Sequence, residues 1–154
     1  MSGKVISIHT TPSAREPMTA VNQVVAVAGL GLAGDRYHGH TGTYSETPGT
    51  GRDVTFIAAE ALETLTKEHG ITLAPGESRR NVTTKGIDLN ALVDRDFRVG
   101  DVVLRGMRLC EPCEYLQEHT GKDGLLKALV HRGGLRAEII RGGTIRVGDE
   151  IVSD

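Results

Sequence analysis

The chain has 154 residues, a net charge of −2 and only two cysteines. This length suits one domain over residues 1–154, and the slight negative charge gives no overall attraction to nucleic acid or anionic membranes. With 3% aromatic residues and no tryptophan, a platform for stacking bases is not expected either. No apolar run approaches the roughly 18 residues of a membrane span and no signal peptide is visible, so we expect a cytoplasmic protein without a membrane partner.

Short extended segments dominate the first third of the chain. Residues 4–10 alternate around valine and isoleucine and predict a first strand, and the valine-rich residues 20–28 predict a second. Residues 31–51 are rich in Gly, Thr, His and Pro and predict a long loop, the kind of segment that often carries function in compact domains. A third strand is predicted over residues 53–57.

One long helix is predicted, over residues 58–69. Gly70 directly after it is a typical helix terminator, and a second, short helix is expected around residues 125–129. The apolar side chains of the long helix recur at helical spacing: Ala58, Ala61, Leu62 and Leu65.

Glycine patterns organise the C-terminal half. Arg98-Val99-Gly100-Asp101 and Arg146-Val147-Gly148-Asp149 each predict a strand, a Gly-Asp turn and a second strand. Two glycine pairs, at 133–134 and 142–143, bracket residues 135–141, which predicts a strand, a tight turn and a hairpin partner over residues 144–147. This number of short strands favours a mostly β fold: a closed antiparallel β-barrel with a few short helices.

The two cysteines form the motif Cys110-Glu111-Pro112-Cys113 and are the first candidates for chemistry. A thiol is a nucleophile or metal ligand only as the thiolate, which a helix N-terminus or nearby cations favour. Three functional interpretations are open: a redox dithiol, half of a zinc site, or one working thiol with a neighbour. Zinc would need His38 and His40, about 70 residues away and outside the usual finger spacing. The structural alternative is a pair of small buried side chains.

Polar and cationic residues cluster at three further places. Glycine lets backbone amides approach a ligand, and arginine supplies a fork of donors for oxyanions. Each cluster alone is ordinary surface charge, but together they predict a basic pocket at one mouth of the barrel, where Arg36, Arg80 and Arg132 converge beside Cys113. The residues concerned are Asp35, Arg36 and His38 in the long loop, Arg80, Asn81 and Thr83 before and within a strand, and Arg132 and Arg136 around the first glycine pair.

The order of these motifs resembles the MOSC domain. This domain occurs at the C-terminus of molybdenum cofactor sulfurases, in amidoxime-reducing molybdenum enzymes and as stand-alone bacterial proteins. The resemblance covers residues 4–152, so the chain looks like a stand-alone member, and it implies a mostly β barrel. It rests on an ordered set of motifs: Gly34-Asp35-Arg36, Arg52-Asp53-Val54-Thr55, Asn81-Val82-Thr83-Thr84, Pro112-Cys113, and Arg132-Gly133-Gly134 followed by Arg146-Val147-Gly148-Asp149.

The resemblance also implies roles for individual residues. Cys113, after Pro112, takes the position of the family cysteine, which ligates molybdenum in the amidoxime-reducing members and is proposed to carry sulfur in the sulfurases. Cys110 is an extra thiol and would be a second, auxiliary catalytic residue. Where many relatives have Glu-Asn, this chain has Arg80-Asn81, which makes the pocket more basic. The molybdenum cofactor (molybdopterin) would be held by Asp35, Arg36, His38, Arg80, Asn81, Thr83, Arg132 and Arg136.

Two activities follow as expectations from the resemblance. The protein would reduce N-hydroxylated small molecules with a reductase as redox partner, or transfer sulfur with a cysteine desulfurase as partner. The alternative is a non-catalytic carrier of the molybdenum cofactor or of another anionic ligand. No pyridoxal phosphate site is expected, because that cofactor belongs to a separate desulfurase domain for which this chain is too short.

Overall fold

A computed structural model of the chain describes residues 1–12, 16–35, 53–73, 76–110, 124–129 and 131–153. Within these ranges no helix is long and apolar enough to cross a membrane. The helices are α1 (Ala59–His69), a 3-10 helix (Leu89–Leu92) and α2 (Leu125–Ala128). The strands are β1 (Ser2–Thr10), β2 (Thr19–Val21), β3 (Gln23–Val27), β4 (Gly31–Leu32), β5 (Val54–Ala58), β6 (Val82–Lys85), β7 (Asp96–Val99), β8 (Val102–Leu109), β9 (Leu135–Arg141), β10 (Gly143–Arg146) and β11 (Glu150–Val152).

The main sheet closes into a barrel, as the sequence predicted. Its strands follow the order β11-β7-β8-β9-β5-β6-β1, and antiparallel pairing of β1 with β11 completes the ring. The β5–β6 pair is parallel, with Phe56 opposite Val82, so the barrel is mixed and not antiparallel throughout. Strand β2 extends the sheet from β1. The segment predicted as one strand over residues 20–28 is divided between β2 and β3, with a bend at Asn22.

The predicted hairpin between residues 135–141 and 144–147 is wrong. Strand β10 leaves β9 at Gly142 and pairs with β3, with Thr144 opposite Val25, in a separate three-stranded sheet ordered β10-β3-β4. The reason is the close approach of Gly142 to β3, because a Cβ on Gly142 would lie 2.5 Å from the Ala26 carbonyl oxygen. Only glycine permits that approach, which directs the chain away from β9.

The two Gly-Asp turns have different outcomes. The turn at Gly100 joins β7 to β8 in the predicted hairpin. The turn at Gly148 joins β10 to β11, which belong to different sheets, so no hairpin forms there. The turns nevertheless lie side by side, since the Gly100 amide donates to the Glu150 carbonyl oxygen at 3.0 Å.

Helix α1 ends as the sequence predicted. Gly70 adopts the left-handed conformation with φ 66°, and its amide donates to the Thr66 carbonyl oxygen. The buried side chain of α1, Leu65, packs with Leu125 and Leu129 in and beside α2, in a small apolar cluster separate from the barrel core. The barrel core contains Phe56 and Phe97, whose rings meet edge to face at 5.6 Å between centroids.

Candidate functional site

Among the described residues, most of the buried polar side chains lie where β1, the start of β5 and the segment before β6 come together. Burying polar groups is unfavourable unless each finds a hydrogen-bond partner, so such a concentration marks a specialised region. The residues that belong to this polar region are His9, Thr11, Asp35, Thr55, Ser78, Arg79, Arg80 and Asn81, each no more than 8% exposed.

Asn81 connects three strands at the centre of the polar region. Its side-chain Oδ1 accepts hydrogen bonds from both the amide (3.1 Å) and the hydroxyl (3.1 Å) of Thr55 in β5. Its Nδ2 donates to the His9 carbonyl oxygen in β1 at 3.1 Å. Asn81 is completely buried. Asn81, which the sequence predicted to line the basic pocket, therefore has a structural role: its amide side chain joins β1, β5 and the residue before β6.

Arg80 carries a buried positive charge across to the end of β8 and the start of β9. Its Nε donates to the Gly133 carbonyl oxygen at 2.7 Å, and its Nη2 donates to the Cys110 carbonyl oxygen at 3.0 Å. A weaker contact of 3.4 Å joins Nη1 to the Ser78 carbonyl oxygen. These acceptors are neutral carbonyl groups, so they orient the guanidinium group without cancelling its charge.

Two further residues shape the polar region. Asp35, the last residue that the structure describes before position 53, accepts a hydrogen bond from the Thr11 amide through Oδ1 at 3.2 Å. Arg79 adopts a left-handed backbone with φ 64° and donates through Nη1 to the Glu16 carbonyl oxygen. A left-handed arginine is uncommon, and here it turns the chain so that Arg79 and Arg80 reach different partners.

Cys110 lies at the end of β8 and is 1% exposed. Its amide donates to the Gly134 carbonyl oxygen at 2.7 Å, while its own carbonyl oxygen accepts from Arg80. The backbone that leads into the Cys110–Cys113 motif is therefore fixed on one side by a glycine of the β8–β9 region and on the other by a buried guanidinium group.

The other predicted site residues are distributed more widely. Arg132 is half exposed, and its Nη1 lies 3.6 Å from Glu68 Oε2 on α1. Arg132 is the sequence neighbour of Gly133, and Arg80 donates to the Gly133 carbonyl oxygen, yet the two guanidinium groups have different partners. Arg136 lies in β9 opposite Thr55, and Thr83 lies in β6 on the face away from Val82. Arg36, His38, His40 and Cys113 lie outside the described residues.

No group of three or more His, Cys, Asp or Glu side chains suited to a metal occurs in the described ranges. What the polar region offers instead is a fixed positive charge and buried hydrogen-bonding groups. These groups suit an anionic ligand held by charge-assisted hydrogen bonds, such as a phosphate or an oxo group.

His9 is a member of the polar region that the sequence interpretation missed. It is 3% exposed, and no described group forms a hydrogen bond with its Nδ1. Its ring lies against Gly76, where a Cβ would approach His9 Cδ2 to 2.9 Å. Burial lowers the pKa of His9 below its usual value of 6.5, so the neutral ring is favoured in the folded protein.

We expect His9 to make the fold acid-sensitive. Because the unfolded chain takes up this proton at a higher pH than the folded one, the stability due to neutral His9 is complete above about pH 6.5 and falls as pH drops toward its lower folded pKa. In urea unfolding at about pH 7.5 and about pH 5, His9→Gln should lose less stability on acidification than the wild type. His69→Gln, at an exposed position, is the matched control. Parallel losses in His9→Gln and wild type would contradict this expectation.

Comparison with known proteins places this architecture in a family. The fold is similar to the YuaD protein of Bacillus subtilis, with a TM-score of 0.79 and 17% identity over 98% of this chain and 94% of that one. YiiM from Geobacillus stearothermophilus gives a TM-score of 0.74 and 15% identity over 99% of this chain and 75% of its own. YiiM from Escherichia coli gives 0.71 and 20% identity over 100% and 71%. At these identities the likeness concerns the fold alone.

A comparison with curated proteins gave no match. The family model of the MOSC domain, in contrast, matches residues 34–152, which is most of the chain and includes Asp35, the Arg80-Asn81 pair and both cysteines. The family is associated with the molybdenum cofactor. The closed barrel and this match together confirm the resemblance stated from the motifs: the chain belongs to the MOSC domain family.

Proposed function

We propose that this protein binds the molybdenum cofactor at the polar region, with the Cys113 thiolate as ligand of the metal or as carrier of sulfur. The observation that supports the proposal most is the buried guanidinium group of Arg80, which bonds the carbonyl oxygen of Cys110 at the start of the cysteine motif. A buried cation held by neutral acceptors favours an anionic ligand nearby. It also favours the thiolate form of a cysteine in its vicinity.

The described residues fit the anionic groups of such a cofactor. Arg80 supplies charge, and His9 offers a buried ring nitrogen that no described group engages. Cys113 follows Cys110 by three residues, and a chain of that length spans at most about 11 Å when fully extended. Since the Cys110 backbone is fixed by Gly134 and Arg80, the length of the chain alone keeps Cys113 within reach of the polar region.

The burial of Cys110 supports a division of labour between the two cysteines. Cys110 is 1% exposed, and its backbone is fixed by Gly134 and Arg80, as expected of a structural cysteine. Cys113 is therefore the working thiol in this proposal, and Cys110 supports the geometry of the motif. When bound, the cofactor would supply a redox-active metal for reduction of N-hydroxylated compounds, or accept sulfur. A reductase or a cysteine desulfurase would be the corresponding partner.

Thiol alkylation separates the two cysteines. Cys110→Ser should keep a thiol that reacts readily and whose rate rises through a pH below the usual thiol pKa of about 8.5, while Cys113→Ser should leave only a slowly reacting one. The measurement is the rate of iodoacetamide modification against pH for each variant. Equal rates and equal pH midpoints would remove the asymmetry on which the assignment of Cys113 depends.

A further inference from the structure

A cavity of about 450 Å³ lies between the start of α1, the 3-10 helix and the loop before β9. This volume is in the range of small-molecule binding sites. Gly134 lines the cavity, and its carbonyl oxygen accepts the Cys110 amide. Arg80, Asn81 and Cys110 do not line the cavity, whereas Arg132, one of the predicted cofactor-binding residues, does.

The apolar part of the lining can hold the body of a small molecule. Ala58 and Ala61 contribute methyl groups from the start of α1, and Ile87 and Leu89 contribute side chains that are no more than 5% exposed. Ile87 and Leu89 also belong to the barrel core, so this surface is continuous with the packed interior of the fold. A preformed apolar surface binds a flat or compact apolar group without reorganisation.

Two carboxylates on the lining are oriented by backbone hydrogen bonds. Glu60 accepts the Gly86 amide through Oε2 at 2.9 Å, and Asp88 accepts the Asn90 amide through Oδ1 at 3.1 Å. Each bond uses one carboxylate oxygen, and among the described residues no hydrogen bond engages the second. The cavity thus presents acceptors whose direction is already set, which reduces the entropy lost when a donor binds.

Two sources of positive charge around the cavity are already compensated. Arg132 lines it, but its guanidinium group pairs with Glu68 at 3.6 Å. The partial positive charge at the start of α1 is met by Glu60 in the first turn. Among the lining residues that the structure describes, Asp88 is then a carboxylate whose charge has no cationic partner.

We propose that this cavity binds a small organic cation, an amidinium or ammonium group carried on an apolar body. The apolar body would contact Ala58, Ala61, Ile87 and Leu89, and the cationic group would donate to Asp88 and Glu60. Binding at this site needs neither metal nor Cys113.

Benzamidine is the probe that tests the site, with benzoate as the ligand of the same shape and opposite charge. Isothermal calorimetry on the full chain without added metal should show benzamidine binding and weaker or absent benzoate binding. Asp88→Asn should weaken benzamidine about fivefold, the factor expected for a partly exposed ion pair. Asparagine keeps an oxygen that accepts the Asn90 amide, so this variant preserves the local fold, which circular dichroism can verify.

The control is Glu63→Gln on the same helix, where Glu63 lies 3.9 Å from Lys85 and does not line the cavity. Its benzamidine affinity should equal that of the wild type. Equal binding of benzamidine and benzoate, unchanged benzamidine affinity in Asp88→Asn, or no benzamidine binding by the wild type would each overturn the proposal. None of these results depends on whether the protein holds molybdenum.

Discussion

Replacing Gly134 with alanine is expected to prevent stable folding. Gly134 has φ 109°, and a Cβ at this position would lie 1.8 Å from the Phe56 carbonyl oxygen and 3.3 Å from the Ile57 Cα. These are backbone atoms of β5, so no side-chain rotation relieves the overlap. The substitution would force β5 and β9 apart where they pair, a loss of about 4 kcal/mol or more in the free energy of unfolding.

The matched control is Gly148→Ala. Gly148 also has a positive φ, 93°, but a Cβ there would meet no atom within 4 Å. In this variant only the backbone strain of a positive φ remains, which should lower the free energy of unfolding by about 1 to 2 kcal/mol. Soluble yield and urea unfolding of both variants measure the difference. If Gly134→Ala were as stable as Gly148→Ala, the close approach of Gly134 to β5 would be refuted.

Asn81→Ala is expected to be strongly destabilising. It removes the acceptor of the Thr55 amide and hydroxyl and the donor to the His9 carbonyl oxygen in a completely buried place. Leaving such a group without a partner costs about 1 to 3 kcal/mol, and three groups are affected, so a total loss of about 3 kcal/mol or more is expected. Asn81→Asp should be at least as harmful, because it replaces the donor with a buried carboxylate facing a carbonyl oxygen.

Asn90→Ala controls for the loss of an asparagine side chain. Asn90 is exposed and donates one hydrogen bond to the His131 carbonyl oxygen, so its removal should cost well under 1 kcal/mol. Urea unfolding curves of the three variants at neutral pH give the comparison. Equal stabilities of Asn81→Ala and Asn90→Ala would show that Asn81 does not hold the three strands together.

The elements that sequence reasoning predicted well are those with local causes. Strand β1, helix α1, the Gly70 terminator and the β7–β8 hairpin each follow from neighbouring residues. The pairing of β10 with β3 joins residues more than a hundred positions apart. Local alternation is the same for either partner, so the sequence pattern does not decide between β9 and β3.

The sequence identified some of the polar residues of the site, but it did not identify all of them or their hydrogen-bond partners. Arg80 and Asn81 stand out as a polar pair before a strand, and both are buried in the polar region. His9 was missed because it lies in an alternating apolar strand whose end is buried on both faces: Ile8 and the next residue, His9, are both buried, beyond a shift in register between Val5 and Ser7. The only local signal was a histidine within an otherwise apolar pattern, which more often indicates an exposed face.

Metal analysis of protein made in a host that synthesises the molybdenum cofactor tests the central claim most directly. We expect about one molybdenum per chain in the wild type and the same in Cys110→Ser. If Cys113 is the metal ligand, Cys113→Ser should lose a large part of the metal, since a protonated hydroxyl group is a much weaker ligand than a thiolate; if Cys113 carries sulfur, the metal content should be kept. The purified wild type should contain no stoichiometric zinc and should keep its thermal midpoint in strong chelator. One tightly held zinc per chain, with unfolding when it is removed and no molybdenum, would contradict the account.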